Sequence, residues 1–228
     1  MRVAVLGGTG VDQTNAFKAS TKTVTNEYGT VTYSEHNGVV YLPRHSVGHS
    51  VPPHLINYKA NIALLKDLGV ERVVSIYAVG SISDRLKPLE WGVVDDFIDV
   101  SGKAETFFTG GEKGVKHIDM SSPFDRTLCD KLLEKDSVKD PLVYITTSGP
   151  RLETKAEIRA YRAMGADIVG MTLAKEAVLL AEAGIRNASI AYSINWASGV
   201  NESVSFVSDD DIDRLTSHLV EIAREVLL

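Results

Sequence analysis

Apolar runs too short for helices alternate along this chain with stretches whose apolar residues recur at helical spacing. That alternation constrains the fold more than any other feature. Residues 3–6, 70–78, 93–100, 142–147, 166–171 and 188–194 read as strands or extended segments, and 55–68, 124–135, 156–164 and 174–183 read as helices. Asp209-Asp210-Asp211 caps a last amphipathic helix, since carboxylates are favoured at helix N-termini. Residues 30–42 are strand-like but broken by Asn37-Gly38, the strongest short-range hairpin signal. The Gly-rich segment 106–119 reads as a long functional loop. Several strands are apolar throughout, so both faces of their sheet must be covered. The expected fold is α/β: a single domain over residues 1–228, with a twisted mixed β-sheet flanked by helices. No linker, internal repeat or low-complexity tract interrupts it.

Composition narrows the partners. With 44% hydrophobic and 24% charged residues the chain is that of an ordinary globular protein. Its net charge of −6, with no basic block, argues against nucleic acid, so any anion must sit in a locally positive pocket. Cys129 is the single cysteine, which rules out an internal disulfide, fits a reducing cytoplasm and leaves no thiolate metal site. The opening MRVAVLGGTG reads as strand and turn, so no signal peptide is expected. No apolar run approaches the roughly twenty residues of a membrane span, and no membrane partner is expected.

Four short segments carry chemistry. Gly7-Gly8-Thr9-Gly10 follows a strand, where bare backbone N–H groups and a threonine hydroxyl can point at an anion; a plain tight turn explains it equally well. Arg44-His45 ends the hairpin strand, where a guanidinium can grip two oxygens of an oxyanion and an adjacent imidazole can donate a third bond. A surface arginine beside a core histidine is the bland alternative. His49 and His54 lie close by, but no carboxylate is interleaved, so no metal is expected. Ser148-Gly149-Pro150-Arg151-Leu152-Glu153-Thr154 places Glu153 in a loop or at a helix entry, as a pocket carboxylate or an ordinary first-turn acid. Ile194-Asn195-Trp196 ends a strand, and Asn195 carries both a donor and an acceptor; turn formation is the alternative.

With these segments in this order, the chain resembles the trimeric purine nucleoside phosphorylase family, in the branch that includes methylthioadenosine phosphorylase. The resemblance runs through GGTG, LPRHSVGH, NYKANI, VVSIYAVGSI, GVKHIDMSSPF, SGPRLETKAEI, GADIVGMTLAKEAVLLAEAGI and SINWASG, nearly the whole chain. It implies a phosphate site of Thr9, Arg44 and His45, completed around Tyr77 and Ala78 and by the Thr172 hydroxyl. It implies Met171 under the ribose, Asn195 facing the purine N7 and O6, and Glu153 facing N1, with Trp196 and Ala197 beside them. His117 would reach across a subunit boundary to the 5′ end of the neighbour's substrate, as part of a homotrimer or a dimer of trimers. Asn195, Arg44 and His45 would be the catalytic group, phosphate the co-substrate, and no cofactor or metal would be needed.

The resemblance also implies a base preference. A 6-oxo group is an acceptor and needs a donor such as the Asn195 amide, whereas the adenine-selective members carry an aspartate there; Glu153 matches the 6-oxopurine pattern too. A mispaired buried polar group costs about 1–3 kcal/mol, enough to discriminate. Hypoxanthine or guanine nucleosides are therefore the expected substrates, with methylthioadenosine as the alternative. Leu152, Val204 and Phe206 could line an apolar 5′ pocket suited to methylthioinosine, or pack in the core, so inosine and methylthioinosine both stay open. Three positions depart from the family: Ser46 stands for a glycine, Tyr77 for a small polar residue, and Ala197 for a second acid. Other readings are a nucleosidase, which lacks the Arg-His pair; a non-catalytic nucleoside-binding protein, if Tyr77 has cost the phosphate site; and a Rossmann oxidoreductase, suggested by the N-terminal glycines alone.

Overall fold

The computed structural model describes residues 2–102 and 104–228, with Lys139 described by its backbone alone. Among the described residues nine strands form one mixed sheet: β1 (Arg2–Gly7), β2 (Thr21–Asn26), β3 (Gly29–His36), β4 (Val39–Pro43), β5 (Val70–Ser81), β6 (Trp91–Asp99), β7 (Val138–Thr146), β8 (Ile168–Gly170) and β9 (Arg186–Trp196). Their order is β2-β3-β4-β1-β5-β8-β7-β6-β9. β9 also pairs with β5, from Arg72↔Arg186 to Ser81↔Trp196, so the second half of the sheet closes on itself. The α-helices among the described residues are α1 (Asn15–Lys18), α2 (Tyr58–Asp67), α3 (Arg126–Leu133), α4 (Lys155–Ala163), α5 (Leu173–Ala183) and α6 (Asp209–Leu227). This is the mixed α/β fold the alternation predicts.

Pleating of β1 shows why helices must cover both faces. Val3 and Val5 pack with Phe17, Leu219, Val220 and Ala223 on one side. Ala4 and Leu6 pack with Ile62, Leu65, Leu179 and Leu180 on the other. Each large aliphatic side chain so buried contributes about 1.5–3 kcal/mol. A third, smaller cluster, including Ile82, Ile145, Ile158 and Ala197, forms under α4.

Local chemistry sets the element ends. Asn37 (φ 52°) and Gly38 (φ 76°) make the two-residue turn between the antiparallel β3 and β4, as their identities predict. Thr154 and Glu157 form a reciprocal capping box at α4. The cap of α6 is Ser208, whose hydroxyl accepts from the Asp211 N–H, and the three aspartates occupy the first turn rather than the cap itself. The sequence reading missed α1 and β2. β2 is an edge strand with five of six residues exposed, held to β3 partly by Thr23–Thr32 and Thr25–Thr30 hydroxyl pairs, so it carries no core signal. Segment 106–119 is irregular apart from one 3₁₀ turn, Gly111–Lys113.

Candidate active site

β1 runs parallel to both β4 and β5, and β5 runs parallel to β9, so the carboxyl ends of β1, β4 and β9 meet at one edge of the sheet. A cavity of about 190 Å³ opens there. Ligand sites collect at such edges because the loops, not the ladders, are free to supply polar groups.

One group of residues suits an anion. Thr9, Arg44, His45, Tyr77, Ala78 and Thr172 all line the cavity. Gly8 must be glycine: a Cβ there would lie 2.9 Å from Arg44 Nη1 and 3.2 Å from His45 Nε2, so its bare Cα lets both side chains rest against the loop. The Tyr192 hydroxyl ties the loop down by donating to the Thr9 carbonyl. Thr172 is the N-cap residue of α5 yet makes no capping bond; its side chain meets the Tyr144 hydroxyl at the positive end of the helix, on the cavity wall.

Arg44 is only 2% exposed. Its Nε and Nη2 donate to Glu176 Oε2 and Oε1 at 2.7 and 2.9 Å, and Nη1 donates to the Ile76 carbonyl at 3.0 Å. The Tyr77 hydroxyl donates to the same Glu176 at 2.6 Å, and the guanidinium carbon lies 4.2 Å from the Tyr77 ring centroid. Burial alone would raise the Glu176 carboxyl, but Arg44 and Tyr77 hold it below the ordinary carboxylate range. Burial likewise opposes the charge on Arg44, and Glu176 more than offsets it, so the guanidinium stays protonated. The Tyr77 proton is thus committed to Glu176. Tyr77 supports the arginine from beneath instead of offering its hydroxyl to an anion. Glu176 was not singled out in the sequence; a lone acid within the apolar run LAKEAVLLA is the signal that could have found it.

His45 differs from expectation. Its Nδ1 donates to the Val51 carbonyl at 2.8 Å. Burial, reinforced by Arg44, pushes the imidazole down to about 4. Neutral His45 therefore turns an Nε2 acceptor, not a donor, toward Gly8, and is suited to the O–H of a protonated oxyanion.

The second group suits a flat polar ring. Leu152, Glu153, Met171, Asn195, Ala197 and Phe206 line the same cavity. Glu153 immediately precedes the α4 cap and is buried; Thr147 Oγ1 donates to its Oε1 at 2.9 Å, leaving Oε2 for a ligand. Asn195 Nδ2 donates to the Trp196 carbonyl at 2.8 Å, which fixes the amide orientation and leaves Oδ1 and one Nδ2 hydrogen. Leu152 and Phe206 are 42% and 54% exposed, and so form its open rim.

Three expected residues lie elsewhere. Trp196 contributes its carbonyl to Asn195, and its ring is not part of the lining. Val204 does not line the cavity either. His117 is exposed in the loop before α3, away from this chain's own cavity. Cys129 is buried among apolar neighbours and its thiol is pushed up to about 12 by burial, then by Asp95 and Asp125. Among the described residues no group of three or more His, Cys, Asp or Glu is arranged to hold a metal ion. Among the described residues no helix is long and apolar enough to cross a membrane.

Comparison with known proteins follows the same lines. The model of the phosphorylase superfamily matches residues 2–227. The 6-oxopurine nucleoside phosphorylase of Pyrococcus furiosus is 39% identical over 215 residues, covering 88% of this chain and 81% of that protein. A protein of Methanocaldococcus jannaschii named "Probable S-methyl-5'-thioinosine phosphorylase" is 37% identical, covering 99% of this chain and 91% of its own length. Methylthioadenosine phosphorylase from Schistosoma mansoni, solved without ligand, superposes with a TM-score of 0.85 at 30% identity, covering 100% of this chain and 90% of that one.

Proposed function

The chain belongs to the phosphorylase superfamily, and from that premise we propose that it is an enzyme splitting 6-oxopurine nucleosides with inorganic phosphate. The observation that carries this reading is one cavity lined both by Arg44 with the Gly8-Thr9 loop and by Glu153 with Asn195. The products are the free base and ribose 1-phosphate, or its 5-methylthio analogue.

Chemistry follows from the placement. Phosphate is held by the Gly8-Thr9 backbone, Arg44 and the Thr172 hydroxyl, with its own O–H donated to His45 Nε2. A phosphate oxygen bonds to C1′ as the C1′–N9 bond breaks, and that electron pair flows into the purine, which takes a proton at N7 from water, matching the one that the phosphate O–H gives up to water as the ester forms. Asn195 Oδ1 accepts from N7–H while its remaining amide hydrogen donates to O6, and Glu153 Oε2 accepts from N1–H. Contacts that strengthen as charge develops lower the barrier, whereas equal contacts to substrate and transition state do not. Met171 packs beneath the ribose; Gly149 permits it, because a Cβ there would run into the Met171 sulfur. The reaction draws on phosphate as co-substrate and on no organic cofactor or metal.

The apolar rim of Leu152 and Phe206 favours a methylthio group at the 5′ end over a hydroxyl. That rim is half exposed in a single chain, and His117 is exposed on the same chain without a role in its own cavity. Both features support a homotrimer, or a dimer of trimers, in which a neighbour covers the 5′ end. A cytoplasmic site of action fits the free thiol of Cys129.

The test is hypoxanthine release from inosine and from methylthioinosine, each with and without phosphate. Phosphate-dependent release, faster for methylthioinosine, is the expected result. Release without phosphate would make the protein a hydrolase, and tight nucleoside binding without release would make it a binding protein.

A further inference from the structure

The charges around the anion-binding loop do not suit a doubly charged oxyanion as they stand. Arg44 contributes one positive charge, and Glu176 cancels it at 2.7 Å. Asp12, in the turn after β1, adds a carboxylate whose side chain is 2% exposed. Its Oδ1 is buried without a hydrogen-bond partner. His45 is neutral, for the reasons of burial and the neighbouring guanidinium given above. Around this loop the Arg44 guanidinium therefore faces two acidic side chains, Glu176 and Asp12, where an anion must bind. A buried acceptor without a donor costs about 1–3 kcal/mol, so its persistence beside a ligand cavity calls for a partner.

His49 stands at the other oxygen of the same side chain, Asp12 Oδ2. It lines the cavity, its side chain is 41% exposed, and its Nδ1 faces Asp12 Oδ2 at a loose 3.4 Å. Its ring lies 4.3 Å from that of His45. The loop that carries it holds two residues other than glycine, Ser46 and His49, at positive φ (62° and 55°). Such strain persists only where surrounding structure enforces it, and it collects at functional sites.

We propose that His49, backed by Asp12, is a further anion-binding residue of this cavity, taking up a proton as the oxyanion enters and bridging it to the buried carboxylate. The proposal rests on the reading of this cavity as an anion site and deepens it. The role falls to His49 because His45 Nδ1 is already committed to Val51, whereas His49 lines the cavity, is open to solvent and has Asp12 beside it. Loose contact with Asp12 before binding becomes a charge-assisted bond after it.

Inorganic sulfate tests this directly, since it carries a fixed double charge and cannot itself titrate near neutrality. Its binding to the full-length protein is followed by calorimetry at pH 7.5 in two buffers of different ionisation heat, which counts protons exchanged. The native protein is expected to take up about one proton per sulfate. His49→Gln and Asp12→Asn are expected to abolish most of that uptake and weaken sulfate roughly tenfold, while His45→Gln keeps the uptake. Uptake that survives in His49→Gln overturns the proposal. Sulfate that binds the native protein with no proton exchanged also overturns it, while leaving the anion site intact. Absence of any sulfate or phosphate binding overturns the anion site as well, and the hypoxanthine assay then decides the reaction separately.

Discussion

Glu176 holds the Arg44 guanidinium by two hydrogen bonds of 2.7 and 2.9 Å across 132 residues of sequence, with both side chains about 1% exposed. An arginine aimed into a cavity from a strand end would otherwise be mobile. Here its plane is fixed by the carboxylate, by the Ile76 carbonyl and by the Tyr77 ring. The remaining guanidinium hydrogens are therefore presented to a ligand without reorganisation.

Glu176→Gln leaves a buried guanidinium without its counter-charge and should destabilise the protein by about 3–5 kcal/mol. Tyr77→Phe removes one donor to Glu176 and should cost about 1–3 kcal/mol while phosphorolysis persists. Urea midpoints measure both. Equal, negligible effects would show that the pair does not set the arginine.

Stability should fall on mild acidification because of His45. Its folded value of about 4 lies below the ordinary 6.5, so the unfolded state binds the proton first as pH drops. The loss sets in below pH 6.5, grows down to about pH 4 and amounts to on the order of 3 kcal/mol from this group. The unfolding free energy of His45→Gln should be flatter across that window. A slope identical to that of the native protein would remove His45 from the account.

Asn195→Asp should turn base preference toward adenosine-type nucleosides, since a carboxylate accepts from a 6-amino group and repels a 6-oxo group. A change of roughly tenfold to a hundredfold in the ratio of kcat/KM for inosine against adenosine is expected. If the ratio does not move, Asn195 does not read the base.

Ser46 has φ 62° and ψ 174°, a conformation nearly reserved for glycine. Ser46→Gly relieves strain worth about 1–3 kcal/mol, partly offset by the greater freedom of glycine in the unfolded chain. A rise in Tm of a few degrees, with phosphate KM little changed, is the expected outcome; a fall in Tm would show that the hydroxyl matters more than the backbone.

Much of this molecule was legible in residue order. Apolar runs located eight of the nine strands described, with 30–42 holding two of those, and Asn37-Gly38 located the turn between β3 and β4 to the residue. β2 escaped because an edge strand of threonine and lysine buries almost nothing, and periodicity reports burial. Arg44 and Asn195 stood out because each lies at a strand end, and Glu153 because it follows Gly149-Pro150 at the entry to a helix. Trp196 looked like part of the same site only because it is next in sequence; alternation along a strand sends neighbours to opposite faces.

Sequence by itself determined which segments are strands and helices and which polar groups stand at their ends, because backbone sterics, turn chemistry and apolar period act over a few residues. Tertiary structure alone decided that Glu176 answers Arg44, that Tyr77 gives its proton to Glu176, that His45 is neutral, and that Asp12 waits beside His49. Those outcomes depend on desolvation and on contacts between residues far apart in the chain, and both are properties of the closed sheet and its helices, not of any local stretch.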